Sequence, residues 1–262
     1  DCKPEESIYF DLEHYVYKKP KCIGVFGACV YNKKNKKINV TQYMIENKSE
    51  VVDILLLAKK YFIKMKREGK KVIVTFAGNN DFTVIKYLFN KYGIYFDFEK
   101  EFKSIDIQKE YEKDMKISIG LKNLEKIFEV YREGDVISGS NLAKTFHKVL
   151  KDKEYIQRMP KEKIETILQY NEQDVVNLYK IFINWKNYIK TEEDTKENDD
   201  FDEIKEIKTE QIINDIKEID NEKNIEDVKK EQENNTNDNI IIIEDNGQQE
   251  ENKEIDNSET II

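Results

Sequence analysis

The sequence predicts an α/β fold of three layers: a mixed sheet, built from an antiparallel hairpin plus parallel strands, flanked by helices and followed by a disordered tail. Three observations carry that expectation. Strand-like and helix-like segments run in the order strand, strand, strand, helix, strand, helix, which suits a layered sheet holding an antiparallel strand. Composition changes abruptly near residue 190. Upstream lie the only Trp (Trp185), every Tyr and every Phe except Phe201, while the remainder is dominated by Asn, Asp, Glu and Lys. Finally, the first strand carries two carboxylates where a buried strand should carry none.

That strand is residues 8–13 (IYFDLE). Side chains alternate across a strand, so Ile8, Phe10 and Leu12 face one way and Tyr9, Asp11 and Glu13 the other. Residues 22–31 (CIGVFGACVY) and 37–45 (KINVTQYMI) follow as a hairpin around the turn Asn32-Lys33-Lys34-Asn35-Lys36. Residues 50–67 read as an amphipathic helix, with Val51, Ile54, Leu55, Ala58, Phe62 and Met65 at helical spacing. Residues 71–76 (KVIVTF) form a buried-type strand, and Gly78-Asn79-Asn80 turns into a helix striped by Phe82, Ile85, Leu88 and Phe89. A short strand is expected over residues 102–107, then helices over 121–130, 141–150 and 161–188. These elements define one folded domain, residues 7–190, and a tail, residues 191–262.

Charge divides at the same place. Of 44 Lys and Arg and 53 Asp and Glu, residues 191–262 hold 8 and 26, a net of −18, which leaves +9 on residues 1–190. A basic folded domain suits a polyanionic partner such as nucleic acid. The acidic tail has too few core-forming residues to offset the entropy of ordering, and it could engage a protein partner. Cys2, Cys22 and Cys29 show no metal-site spacing; Cys22 and Cys29 read as core thiols, which fits a reducing cytoplasm. No wholly aliphatic run, residues 240–243 included, is long enough to span a bilayer, so no membrane association is expected. The chain lacks an initiator Met and enters a strand within eight residues, so a preceding segment is expected.

Asp11 and Glu13 repel each other unless a cation sits between them, and carboxylates are the preferred ligands of magnesium and manganese. An edge strand with an acidic solvent face is the alternative. Asp81 follows the strand at 71–76, at the end of a sheet strand where α/β folds place their sites, although it also stands where a helix N-cap is wanted. Tyr170 and Asp174 are four apart, so they share one helix face. Asp174 interrupts an apolar stripe of Ile167, Leu178, Ile181 and Trp185, unless the helix merely emerges from the core there.

In this order, Asp11, Glu13, Asp81, Tyr170 and Asp174 resemble the tyrosine form of the Asp-Glu-Asp-Asp exonuclease superfamily, which has the RNase H-like fold. Similarity is greatest to the YprB-type RNase H-like domain, through Phe10-Asp11-Leu12-Glu13 and through Tyr170 to Asp174. Gly120-Leu121-Lys122-Asn123-Leu124-Glu125 and Ile137-Ser138-Gly139 are also similar. The middle motif differs: Asp81 precedes Phe82, where the family has the aromatic first. The resemblance implies a 3′–5′ exonuclease that uses two divalent ions, Mg or Mn. Asp11 would bridge both ions, Glu13 and Asp174 would bind one and Asp81 the other, while Tyr170 would orient the attacking water. Lys122, Ser138 and Gly139 are candidates for holding substrate phosphates.

The spacing of His147 and Asp152 imitates the histidine form, but Lys148, Lys151 and Lys153 surround it. Two rival functions remain open: a nucleic-acid-binding module of the same fold without effective catalysis, and an interaction protein acting through its tail. Cleavage of end-labelled oligonucleotides separates the enzyme from both.

Overall fold

Alternation along the first strand decides how the sheet is sandwiched. In the computed structural model, which describes residues 2–134 and 137–189, strand β1 (Ser7–Tyr17) turns through Lys18 (φ +60°) into β2 (Lys19–Asn32), and β3 (Lys37–Met44) follows. Helix α1 (Val51–Arg67) leads to β4 (Val72–Thr75), α2 (Asn79–Lys91), the short α3 (Phe98–Glu101) and β5 (Lys103–Asp106). Helices α4 (Ile107–Met115), α5 (Leu121–Ile127), α6 (Gly139–Lys151) and α7 (Lys161–Tyr188) complete the described residues. The sheet has five strands in the order β3-β2-β1-β4-β5, antiparallel from β3 to β1 and parallel from β1 to β5. This is the expected mixed sheet flanked by helices. The acidic tail expected over residues 191–262 lies outside the described residues.

On one face, Ile8, Phe10 and Leu12 are buried, and the Phe10 ring lies 5.5 Å from Phe26 and 5.4 Å from Phe62 of α1. The α1 stripe is the predicted one, Val51, Ile54, Leu55, Ala58, Phe62 and Met65, with Tyr61 added. From α2 come Val84, Ile85, Leu88 and Phe89. Each large side chain buried here stabilises the fold by about 1.5–3 kcal/mol.

The opposite face receives α7. Tyr9 meets Tyr179 and Phe182 edge-on, at 5.3 and 5.6 Å between ring centroids. The thiol of Cys29 donates to the Val175 carbonyl at 3.2 Å. Gly27 lies opposite Asp11 in the β1–β2 register, and a Cβ there would sit 2.0 Å from Asn171 Oδ1. Only glycine lets α7 approach the sheet so closely beside the acidic strand.

Two helices were not legible in the sequence. Asp97 and Asp106 are N-caps, accepting from the amides of Lys100 and Gln108, and these caps start α3 and α4 where no long apolar period announces them. Among the described residues, no helix is long and apolar enough to cross a membrane.

Candidate active site

Strand register places the acids. Tyr9 pairs with Val74 and β4 ends at Thr75, so β1 beyond that point runs past the carboxyl end of its parallel neighbour. Asp11 and Glu13 lie on this extension, on the face that α7 covers. Helix α7 brings Asp174 to them, and ligand oxygens of Asp11, Glu13 and Asp174 all lie within 4.8 Å of one another. Glu13 and Asp174 are buried, while Asp11 keeps partial exposure.

Electrostatics follows from that crowding. Burial, and then the neighbouring Asp174 carboxylate, push Asp11 up to about 8. Glu13 is driven well above the usual carboxylate range by burial and then by Asp11 and Asp174. Asp174 rises to about 6, because burial outweighs the attraction of Arg132 beside it. Three desolvated, mutually repelling carboxylates are a poor structural device and a good oxygen-donor set for a hard divalent cation. In donor chemistry and spacing, the residues fit such an ion.

Asp81 is not a helix cap. Helix α2 begins at Asn79 with Gly78 at its N-cap and no side-chain cap bond, so Asp81 lies inside the first turn and is buried. Its Oδ1 is 4.0 Å from His14 Nε2, and it stands outside the 4.8 Å group. It nevertheless faces that group: burial first, then Asp11, Glu13 and Asp174, raise its pKa well above normal. The turn carrying it passes through Ala77 at φ +51°, a left-handed conformation costly to any residue with a Cβ. Asp106 holds the turn, accepting from the Ala77 and Gly78 amides at 3.0 Å each. Asp106→Ala is therefore expected to cost about 1–3 kcal/mol of stability, measured by denaturant melts. A loss under about 0.5 kcal/mol, within the range of ordinary surface changes, would mean that the turn holds itself.

Tyr170 is half-buried on α7, one turn before Asp174. Burial, and then Asp174 and Glu13, raise the pKa of its phenol, so it stays protonated and able to donate at neutral pH. Lys122 Nζ lies 5.2 Å over the Tyr170 ring and 3.5 Å from the Ile137 carbonyl, which brings one candidate phosphate ligand to the site. Ser138 caps α6, its Oγ accepting from the Asn141 amide at 3.3 Å, and Gly139 is the first residue of that helix. The structure thus gives Ser138 a capping task beside its candidate phosphate contact.

Several polar residues at the site escaped the sequence reading. Asn171 is fully buried and donates to Asp11 Oδ2 at 3.1 Å, while Gln42 of β3 donates to Asn171 Oδ1 at 2.9 Å. Glu125 of α5 accepts from Arg132 through both carboxylate oxygens, at 2.6 Å each, and from Asn177 at 2.9 Å. Arg132 also pairs with Asp174. Asn171 and Asn177 flank Asp174 by three residues on the same buried face, and that spacing was a readable signal. Nothing in the spacing of Arg132 points to its partners.

The histidine alternative is not assembled. His147 stacks on Tyr15 with ring centroids 4.9 Å apart, and Asp152 pairs with Arg158. Among the described residues, the group able to hold a metal is Asp11, Glu13 and Asp174, without Asp152.

A five-stranded mixed sheet gathers acids along its central strand in an arrangement suited to binding a metal ion. A family model described as RNase_H superfamily matches residues 8–186, and the chain belongs to the RNase H superfamily. The matched span runs from β1 almost to the end of α7, so it includes every site residue above. At that level the protein is a nuclease-type hydrolase with an RNase H-like domain for nucleic acid, of a kind that generally uses divalent metals. No curated protein matches the chain.

Proposed function

We propose that the protein is a 3′–5′ exonuclease of the tyrosine type, hydrolysing phosphodiester bonds with two divalent cations, Mg or Mn. The observation that carries this reading is the convergence of Asp11, Glu13 and Asp174 within 4.8 Å, with Tyr170 one helical turn from Asp174. When bound, the cations would supply Lewis-acid stabilisation of the charge that develops on attacking and leaving oxygens. Asp11, Glu13 and Asp174 would hold them, with Asp81 approaching from α2. Asn171 orients Asp11 through its hydrogen bond. Tyr170 donates its phenolic proton to position the attacking water, and Lys122 beside it attracts the substrate backbone. The basic balance of residues 1–190 agrees with a nucleic-acid substrate, and the acidic tail remains a candidate for a protein partner.

Incubating the protein and manganese with end-labelled single-stranded DNA, duplex DNA and RNA tests the reading. Stepwise shortening from the 3′ end is the expected result; salt-dependent binding without cleavage would make the domain a binding module instead. Within the same assay, Tyr170→Phe should lower turnover by about 10²-fold while metal affinity survives, because the carboxylates alone hold the ions. His147→Ala should change turnover less than about twofold, since its ring packs on Tyr15 outside the cluster. The reverse pair of results would restore the histidine alternative.

A further inference from the structure

Arg132 is bound more tightly than a counter-ion for Asp174 requires. Its Nε and Nη2 both donate to Glu125 at 2.6 Å, and Nη2 also contacts Asp174. Asn177 fixes Glu125 from behind at 2.9 Å. The loop carrying Arg132 is itself pinned to α7: the Glu133 amide donates to Gln173 Oε1 at 2.9 Å, and Gln173 Nε2 donates to the Glu133 carbonyl at 2.8 Å. The guanidinium lies 5.2 Å over the Tyr170 ring. Its side chain is only 10% exposed, yet Nη1 finds no acceptor among the described residues. A buried donor left unmatched costs about 1–3 kcal/mol, and such groups are rare in native proteins. Nη1 shares a carbon with the Nη2 that touches Asp174, so it stands next to the donor that meets the acidic cluster.

We propose that Arg132 is a phosphate-holding residue of this site, whose buried Nη1 donates to a non-bridging oxygen of the nucleotide phosphate seated at the acids. This assignment rests on the nuclease reading and deepens it. Glu125 and Asn177 are positioning residues: they occupy the Nε edge and leave the Nη1 end to the ligand. The chemistry selects arginine, because a planar guanidinium can hold both Glu125 oxygens, Asp174 and a phosphate oxygen at once, one acceptor more than the three donors of an ammonium can serve. The alternative is a purely structural cation that neutralises Asp174.

The two roles separate by measuring the affinity of the full chain, with manganese present, for AMP and dAMP against adenosine, together with oligonucleotide cleavage. The wild-type protein should bind the monophosphates at least about tenfold more tightly than the nucleoside, as expected for a charge-assisted contact. Arg132→Lys, which keeps the charge beside Asp174, should lose most of that preference and leave adenosine binding unchanged. Glu125→Gln serves where the lysine variant fails to fold; it frees the guanidinium to tilt and should reduce the preference in the same direction. Unchanged monophosphate preference in a folded variant, or no preference in the wild-type protein, overturns the assignment. Cleavage by the wild-type protein with unchanged monophosphate preference in Arg132→Lys would sink this inference alone. An Arg132-dependent preference without cleavage of any strand would leave Arg132 a phosphate-binding residue and sink the nuclease reading on which its part in cleavage rests.

Discussion

Asp11→Asn is expected to lower cleavage by at least about 10³-fold while making the metal-free protein more stable, the activity figure corresponding to the several kcal/mol that metal-held charge stabilisation supplies. The two effects have one cause. Asp11 carries its charge beside Asp174 in a desolvated position, which pushes its pKa up to about 8. Asparagine keeps an oxygen to accept from Asn171 Nδ2 and removes the repulsion. A gain of about 1 kcal/mol, or roughly 2–4 °C for a domain of this size, is the expected scale. Asp174→Asn should abolish cleavage equally and should stabilise less, because the pairing of Asp174 with Arg132 already offsets part of its burial cost. Breaking such a pair on one side normally destabilises, here less than usual because Arg132 keeps Glu125. Thermal melts and a cleavage assay on both variants decide the matter. Retained activity in Asp11→Asn with a large loss of stability would make the acid structural.

The same physics explains what the sequence disclosed. Alternation in residues 8–13 put Asp11 and Glu13 on one face before any fold was known, and that face is the one α7 covers. Helical spacing placed Asp174 on a buried stripe, and it is indeed buried beside Ile167, Leu178 and Ile181. Periodicity reports on long elements with one environment, so α1 and α7 were legible in full. Helices α3 and α4 were not, because caps rather than apolar stripes define them. Asp81 alone invited a capping role, and what denies it is the chain entering α2 two residues earlier, at Asn79, from a turn held by Asp106. Arg132 was invisible for a different reason. Its partners Glu125 and Asp174 lie on separate helices, and only tertiary packing brings them to it.

Metal and pH should act on stability in opposite directions. A carboxyl whose pKa is higher in the folded state holds its proton more tightly there, so ionising it costs stability. The penalty is absent below the unfolded value of about 4, grows as pH rises, and is complete above the folded value. For Asp174 that window closes at about 6 and for Asp11 at about 8. Glu13 and Asp81, both raised well above normal, add to the penalty in the same direction. The melting temperature of the metal-free protein should therefore fall as pH rises through the window from about 4 to about 8, where many proteins are near their stability maximum. Divalent cations bind the ionised acids, so their stabilisation should be greatest at the upper end of the window. At 100 times its dissociation constant a ligand adds about 2.7 kcal/mol, enough to see in a melt. The difference between wild type and Asp11→Asn isolates the contribution of Asp11: the variant should lose less stability between pH 6 and 8 and gain less from manganese. Parallel pH profiles for the two proteins, each with the same manganese response, would show that Asp11 neither repels its neighbours nor holds a cation.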